Sequence, residues 1–185
     1  MITRRTLLAS AGLALAAPAL VRAQTVVRIP HDYLPQEVAV NPVLQAGQIH
    51  ITNADHRLYW TLGNGRAIRY TTAIGEAGRN FSGQATVQRK AEWPSWVPTA
   101  NMIRLEPAVY GPYAGGLPGG HERNPLGARA LYLYQGGRDT MYRIHGTPQP
   151  WTIGQSFSSG CVRLINDHAI DLYDRVPVGT VVFVS

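Results

Sequence analysis

The chain has 185 residues and very little of several chemically telling side chains. Cys161 is its only cysteine, which excludes an internal disulfide framework. Lys90 is the only lysine. The arginines are scattered, with no basic block and no interleaved aromatics, which argues against a nucleic-acid partner. The one sustained apolar run, residues 7–20, is too short and too weakly flanked for a transmembrane anchor. His31, His50, His56, His121 and His168 fall at no ligand-like spacing, so no metal site and no cofactor is expected. No internal repeat or low-complexity segment is visible.

The amino terminus has the layout of an export signal. Arg4 and Arg5 precede the apolar run, and Val21-Arg22-Ala23 offers a small-residue cleavage site before Gln24. The order Thr3-Arg4-Arg5-Thr6-Leu7-Leu8 resembles a twin-arginine signal, which implies export after folding. An ordinary secretory signal and an uncleaved anchor are the alternatives. Removing residues 1–23 leaves 162, enough for one domain with a substantial core. Arg4, Arg5 and Arg22 leave with the signal, so the net charge falls from +6 to +3. A mildly positive surface suits an anionic polymer such as a cell wall.

Residues 24–47 read as an N-terminal arm interrupted by Pro30, Pro35 and Pro42. From residue 48 onward strand patterns dominate. Residues 49–52 alternate, 57–62 run to the turn Gly63-Asn64-Gly65, and 67–74 return as a hairpin partner. Short strands are expected at 85–88, 130–134, 142–145 and 180–184. A helix is expected from Asp167 to about Val176, capped by Asn166, with Ile170, Tyr173 and Val176 as its apolar stripe. Residues 93–125 are rich in Pro, Gly, Trp and Tyr. Their aromatic content predicts an ordered flap beside a cleft, with a surface excursion packed on the sheet as the alternative.

A lone thiol in an exported chain calls for a chemical reason. Cys161 follows the polar turn Ser158-Ser159-Gly160, and His145-Gly146-Thr147 lies upstream, 16 positions from His145 to Cys161. Adjacent strand ends can bring the two side chains together. The histidine could then take the thiol proton, or hold a thiolate–imidazolium pair, during attack on a carbonyl. Backbone N–H groups of the Ser-Ser-Gly turn are candidates for stabilising an oxyanion, and Gly160 lets the backbone approach a substrate. Taken singly, Cys161 reads as a small buried hydrophobe, His145 as a hydrogen-bonded strand end and Arg163 as a surface cation. It is their combination that points to nucleophilic acyl transfer.

His145-Gly146-Thr147, Ile153-Gly154 and Ser158-Ser159-Gly160-Cys161-Val162-Arg163-Leu164 together resemble the signature of the L,D-transpeptidase catalytic domain family. Residues 124–133 are similar to the family's stretch before the histidine, and 171–180 to its close, so the resemblance covers residues 48–185. It implies a mainly β, β-sandwich-like catalytic domain with a short helix in its C-terminal region and a long ordered flap. It also implies a covalent mechanism on peptidoglycan. Cys161 would attack the carbonyl between the third residue and the terminal D-alanine of a tetrapeptide stem, and His145 would protonate the leaving D-alanine. The cysteinyl thioester would then pass to an acceptor amine on another stem or on an outer-membrane protein. Water as acceptor would make the enzyme an L,D-carboxypeptidase. No cofactor or metal is implied, and the location would be the periplasm or cell wall, without stable membrane insertion once the signal is cleaved. Ser158, Ser159, Gly160, Gly146 and Arg163 would position substrate or oxyanion, with Arg163 orienting either the active-site loop or a substrate carboxylate.

The chain departs from the family pattern at two places. Ser159 stands where many members have a second histidine, so that residue's role has no carrier here and His145 must serve alone. The run Phe81-Ser82-Gly83-Gln84-Ala85-Thr86 lacks a Thr-Pro-x-Gly sequence frequent in the family. Two rival classes remain. A sortase-like enzyme would show Thr-Leu-x-Thr-Cys, and a wall-binding module would carry a degenerate site.

Overall fold

The computed structural model describes residues 28–185, apart from the side chain of Phe157. The expected export signal therefore lies outside the described residues. In chain order the strands are β1 (Gln36–Ala39), β2 (Ile49–Thr52), β3 (Arg57–Gly63), β4 (Arg66–Thr71), β5 (Ile74–Gly75) and β6 (Gly83–Glu92). Two short helices follow, α1 (Ala100–Leu105) and α2 (Pro107–Tyr110), then β7 (Arg129–Gln135), β8 (Arg138–His145), β9 (Ser156–Ser158), β10 (Val162–Arg163), α3 (Asn166–Arg175) and β11 (Val181–Val184). The mainly β expectation holds. Hydrogen bonding makes nine of the strands one continuous sheet, in the order β1-β4-β3-β2-β11-β6-β7-β8-β10, with β5 and β9 paired separately.

Period-2 patterning drives this sheet. Along β2 and β11 buried and half-buried residues alternate, and Ile49, Ile51, Val182 and Val184 enter the core. The turn Gly63-Asn64-Gly65 has φ of 83°, 52° and 71°, the left-handed values that this Gly-Asn-Gly sequence tolerates, and it joins β3 to β4 as expected. The arm was expected to be irregular, yet residues 36–39 form β1 and pair antiparallel with β4 at the sheet edge. Its four residues fall between the prolines, so Pro35 and Pro42 bound the strand instead of preventing it.

One face of β6, β7 and β8 packs with α3. Val87, Leu131, Leu133 and Ile144 join Ala169, Leu172 and Val176 in a single core cluster, each large side chain contributing roughly 1.5–3 kcal/mol by leaving water. The buried stripe of α3 is thus Ala169, Leu172 and Val176, together with His168. The expected stripe through Ile170 and Tyr173 lies to one side, because Ala169, Leu172 and Val176 hold the i, i+3, i+7 spacing that faces the sheet. The single lysine has a structural task at the end of this helix. Lys90 Nζ donates to the Tyr173 and Val176 carbonyls at 2.6 and 2.7 Å, satisfying acceptors that a helix terminus leaves open.

Asn166 does not cap α3. The residue at the cap position is Ile165, whose side chain makes no capping bond. Asn166 Oδ1 instead accepts from the Ala128 N–H at 2.9 Å. That amide also sits against Gly127 and Gly146, where an added Cβ would lie 2.2 Å from Asn166 Oδ1. Asn166 thereby locks the segment before β7 onto the turn after His145. We expect Asn166→Ala to lower unfolding stability by about 1–3 kcal/mol, since it orphans a buried N–H. The urea midpoint measures this, and an unchanged midpoint would remove the clamp assignment.

Candidate active site

The face of β6–β8 opposite α3 floors a cleft of about 550 Å3, and the flap forms its wall. Residues 93–125 are ordered, as expected, but partly helical. Thr99 Oγ1 accepts from the Met102 N–H at 3.1 Å and caps α1, and Pro107 opens α2. Asn124 ties the two ends of the flap together. Its Nδ2 donates to Pro94 O at 2.8 Å and Pro118 O at 3.0 Å, while Oδ1 accepts from the Leu126 N–H. Trp96 and Leu117 exchange backbone hydrogen bonds of 2.9 and 2.7 Å, which closes the flap on itself. Trp96 packs beside Tyr110 and Tyr113.

The sequence candidates converge in this cleft. Parallel pairing of β8 with β10 sets Arg163 opposite His145 and Val162 opposite Ile144. Cys161 immediately precedes β10, and its side chain and that of His145 line the same cleft. Cys161 is half-buried, and its Sγ lies 3.8 Å from the Met141 carbonyl oxygen. Met141, at φ 65°, belongs to a wide bulge of β8 between the pairs Tyr132–Arg143 and Tyr134–Asp139. Arg143 closes that bulge by a bidentate pair with Asp139 at 2.7 and 2.9 Å.

His145 is buried, and its Nδ1 is 2.5 Å from the Gly146 carbonyl oxygen. A carbonyl only accepts, so Nδ1 carries the proton and Nε2 keeps its lone pair. Burial, reinforced by the positive charge of Arg163 and Arg143, pushes the imidazole pKa down to about 3 despite the Gly146 contact. Burial pushes the Cys161 thiol up, although the Arg143 backbone N–H and the nearby guanidinium groups of Arg143 and Arg163 act against it. Both effects favour a resting thiol beside a neutral imidazole over an ion pair.

The Ser158-Ser159-Gly160 turn is tightly built. Ser158 Oγ donates to the Cys161 carbonyl at 2.5 Å and accepts from the Gly160 N–H at 3.1 Å. The Gly160 N–H, expected to be available for an oxyanion, is therefore engaged inside the turn. Gly160 itself has φ 132°, and an added Cβ would meet Arg79 O at 2.6 Å and Tyr142 Cε1 at 2.7 Å, so glycine is required by close packing. Ser159 Oγ is 3.0 Å from Tyr110 Oη, which links the flap to the turn beside the cysteine. Half-buried Arg163 exchanges backbone hydrogen bonds with Ala73 at 2.8 and 2.9 Å and lines the cleft. Exposed His121 does not line it, and its Nδ1 accepts from the Arg123 N–H.

Sequence reasoning missed Tyr110, Met141, Arg143 and Asn166. Only the placement of Asn166 just after the cysteine motif, and of Arg143 two positions before His145 on one strand face, offered a signal. Among the described residues no group of His, Cys, Asp and Glu could hold a metal ion.

Comparison with known proteins decides the family. The model of the YkuD L,D-transpeptidase catalytic domain matches residues 46–184. The chain belongs to the L,D-transpeptidase catalytic domain family. The probable L,D-transpeptidase YbiS of Escherichia coli K12 is 37% identical over 150 residues, covering 80% of this chain and 47% of that protein. The chain thus spans about half the length of the curated relatives it matches. Among solved structures, a Brucella melitensis protein described as a probable carnitine operon oxidoreductase is 48% identical, with a TM-score of 0.58 over 82% of this chain and 93% of that one. That description is the Brucella protein's own. An L,D-transpeptidase from Mycobacterium smegmatis shares the fold, with a TM-score of 0.55, 19% identity, and coverage of 75% and 58%. The run 158–164 lies within the matched residues, and Ser158, Ser159, Cys161 and Arg163 of it line the cleft.

Proposed function

We propose that this chain is a cysteine-dependent L,D-transpeptidase acting on peptidoglycan tetrapeptide stems in the periplasm or cell wall, after export directed by residues 1–23. One observation carries the reading: Cys161 and His145, placed by adjoining parallel strands, face one cleft long enough to seat a peptide. Cys161 Sγ attacks the carbonyl of the third stem residue as Nε2 of His145 takes the thiol proton. The tetrahedral oxyanion collapses, the C–N bond to D-alanine breaks, and His145-H+ protonates the departing amine. A thioester remains on Cys161. An acceptor amine then attacks it, giving its proton to His145, and the sulfur leaves as the amide forms. Exchanging amide for thioester for amide conserves acyl energy, so no ATP is consumed.

Backbone N–H groups of the 158–161 turn other than that of Gly160 stabilise the oxyanion, with Ser158 and Ser159 holding the turn's shape and Gly146 fixing the imidazole tautomer. The backbone of Arg163 anchors the loop through its two Ala73 hydrogen bonds, and its charge adds to burial in keeping the imidazole neutral. The acceptor amine belongs to a second stem or to an outer-membrane protein, and water in its place gives L,D-carboxypeptidase trimming. Among the described residues no helix is long and apolar enough to cross a membrane.

The test is intact-mass spectrometry of the purified protein with a synthetic tetrapeptide stem. The expected species is a covalent adduct equal to the stem minus D-alanine, mapped by peptide digestion to Cys161, with free D-alanine released in step. A stem that stays whole and a protein that gains no mass would sink the proposal.

A further inference from the structure

Four arginines, Arg79, Arg89, Arg143 and Arg163, line the cleft against one carboxylate, Glu106. Arg79 is already paired, 3.3 Å from Glu106 and 3.5 Å from Glu76, and Arg143 is held by Asp139. Arg89 differs from both: its backbone pairs with β7, but among the described residues its guanidinium makes no ion pair and no hydrogen bond. Its guanidinium lies 3.7 Å from the centroid of the Tyr132 ring. Arg143 approaches the same ring at 4.4 Å from the other flanking strand. Stacking on an aromatic face fixes a guanidinium's plane and leaves its N–H edge open for a planar, bidentate acceptor.

Arg89 reaches the cleft through a break in strand parity. Regular pairing of β6 with β7 after Val87–Leu133 would set residue 88 opposite Tyr132 and send Arg89 to the core face beside Leu131. The register slips between Val87 and Arg89, so that Arg89 faces Tyr132 and Lys90 faces Leu131. Two consecutive cations are thereby sent to opposite faces. Lys90 ends α3, and Arg89 joins Tyr132 and Arg143 in one cross-strand row on the cleft floor. His145 lies two residues along β8 from Arg143, roughly 7 Å, and Arg89 lies two strand spacings across, roughly 10 Å. Cys161, one residue before Val162 opposite Ile144, stands one strand further across, so Arg89 lies three strand spacings, roughly 14 Å, from the nucleophile, a gap that the arginine side chain and a side chain of the stem span together.

We propose that Arg89 is a substrate-recognition residue that binds a free carboxylate of the donor stem, deepening the transpeptidase reading on which it rests. A stem offers two such groups within reach. One is the α-carboxylate left free when a glutamate at the second position is linked through its γ-carboxyl. The other is the terminal carboxylate of the third residue's side chain, where that residue is a diamino diacid. Both present the same planar anion to the guanidinium edge. Tyr132 positions the guanidinium, and Arg143, held by Asp139 and the Tyr142 carbonyl, supplies field.

The experiment uses four synthetic donor stems: both carboxylates free, each amidated singly, and both amidated. D-alanine release is measured for the wild type, Arg89→Gln and Arg89→Lys. Binding of the same stems to the Cys161→Ala protein, with and without Arg89→Gln, is measured by calorimetry, so affinity is read without turnover. Amidating one position is expected to raise the wild-type KM about 10- to 100-fold with little change in kcat, the usual worth of a charge-assisted hydrogen bond. The amidated position that does so identifies which carboxylate is read. Arg89→Gln should show the same loss on the free stem and no further loss on the amidated one, and Arg89→Lys should recover part of it. Equal losses on free and amidated stems, or no loss in Arg89→Gln, would overturn the assignment. If calorimetry discriminates the carboxylate while no D-alanine is released by the wild type, the recognition site stands and the transpeptidase reading falls.

Discussion

Cys161→Ala is expected to abolish D-alanine release, lowering kcat by roughly a thousandfold or more, and to leave the fold intact. Cys161 is the chain's only thiol, so no other cysteine can substitute for it. Its side chain is half-buried at the cleft floor and packs into no core cluster, so removing sulfur leaves little cavity. The variant's urea midpoint should therefore lie close to the wild type's while turnover is lost. A carbapenem-type acylating agent adds its mass to the wild type and nothing to the variant. In cells, muropeptide mass spectrometry reads the products: cross-links through third-position residues, protein-bound muropeptides, or trimmed stems. Whichever of these depends on the enzyme should vanish with the thiol. All three persisting unchanged in the variant, in a strain where the wild type alters them, would remove Cys161 as nucleophile. The identity of the species lost also selects among a second stem, a protein amine and water as acceptor.

Much of this site is legible in the sequence, and the legible part has a common physical origin. His145 and Cys161 stand in short motifs whose flanking Gly and Ser residues are themselves demanded by local geometry. Gly146 cannot carry a Cβ beside Asn166, and Gly160 is pressed against Arg79 and Tyr142. Strand β2 was legible because alternation of apolar and polar residues is a one-dimensional record of which face is buried, and β3 and β7 because runs rich in Leu, Tyr and Trp favour strands. What escaped was information carried between strands. The slip between Val87 and Arg89 reverses the parity that an alternation argument assumes, and the bulge of β8 sets three residues against one of β7. Arg89 therefore read as one of many scattered arginines, and Lys90 as an isolated lysine. Asn166 read as a helix cap because Asn is a good one; the competing demand, a buried Ala128 N–H from a segment 38 positions away, is invisible in a local window. The two short helices of the flap were hidden by Pro and Gly, which mark turns but also open helices, as Pro107 does.

His145→Ala is expected to lower kcat/KM by about 100- to 10,000-fold, the range for loss of a general acid–base group. The electrostatics of the site make the form of the loss as informative as its size. With the imidazole pushed down to about 3 and the thiol pushed up, the resting pair is neutral, and attack requires proton transfer from Sγ to Nε2. The wild type should thus hold its activity well below the ordinary histidine value of 6.5, and its thiol should show no thiolate absorbance at neutral pH. Without the imidazole, only solvent hydroxide can remove the thiol proton, so the variant's residual rate should climb with pH through the alkaline range. Stability follows the same shift. A histidine whose folded pKa is depressed contributes stability that is present above 6.5 and is lost as pH falls toward 3, because the unfolded chain takes up the proton first. His145→Gln removes that contribution, so its stability relative to wild type should improve as pH is lowered through this window. Chemical denaturation at several pH values reads the difference, and a constant gap would mean that His145 is charged in the fold. A wild-type acid limb near 6.5, with thiolate absorbance at neutral pH, would replace the neutral pair by a thiolate–imidazolium pair. A fully active His145→Ala enzyme would remove the base altogether.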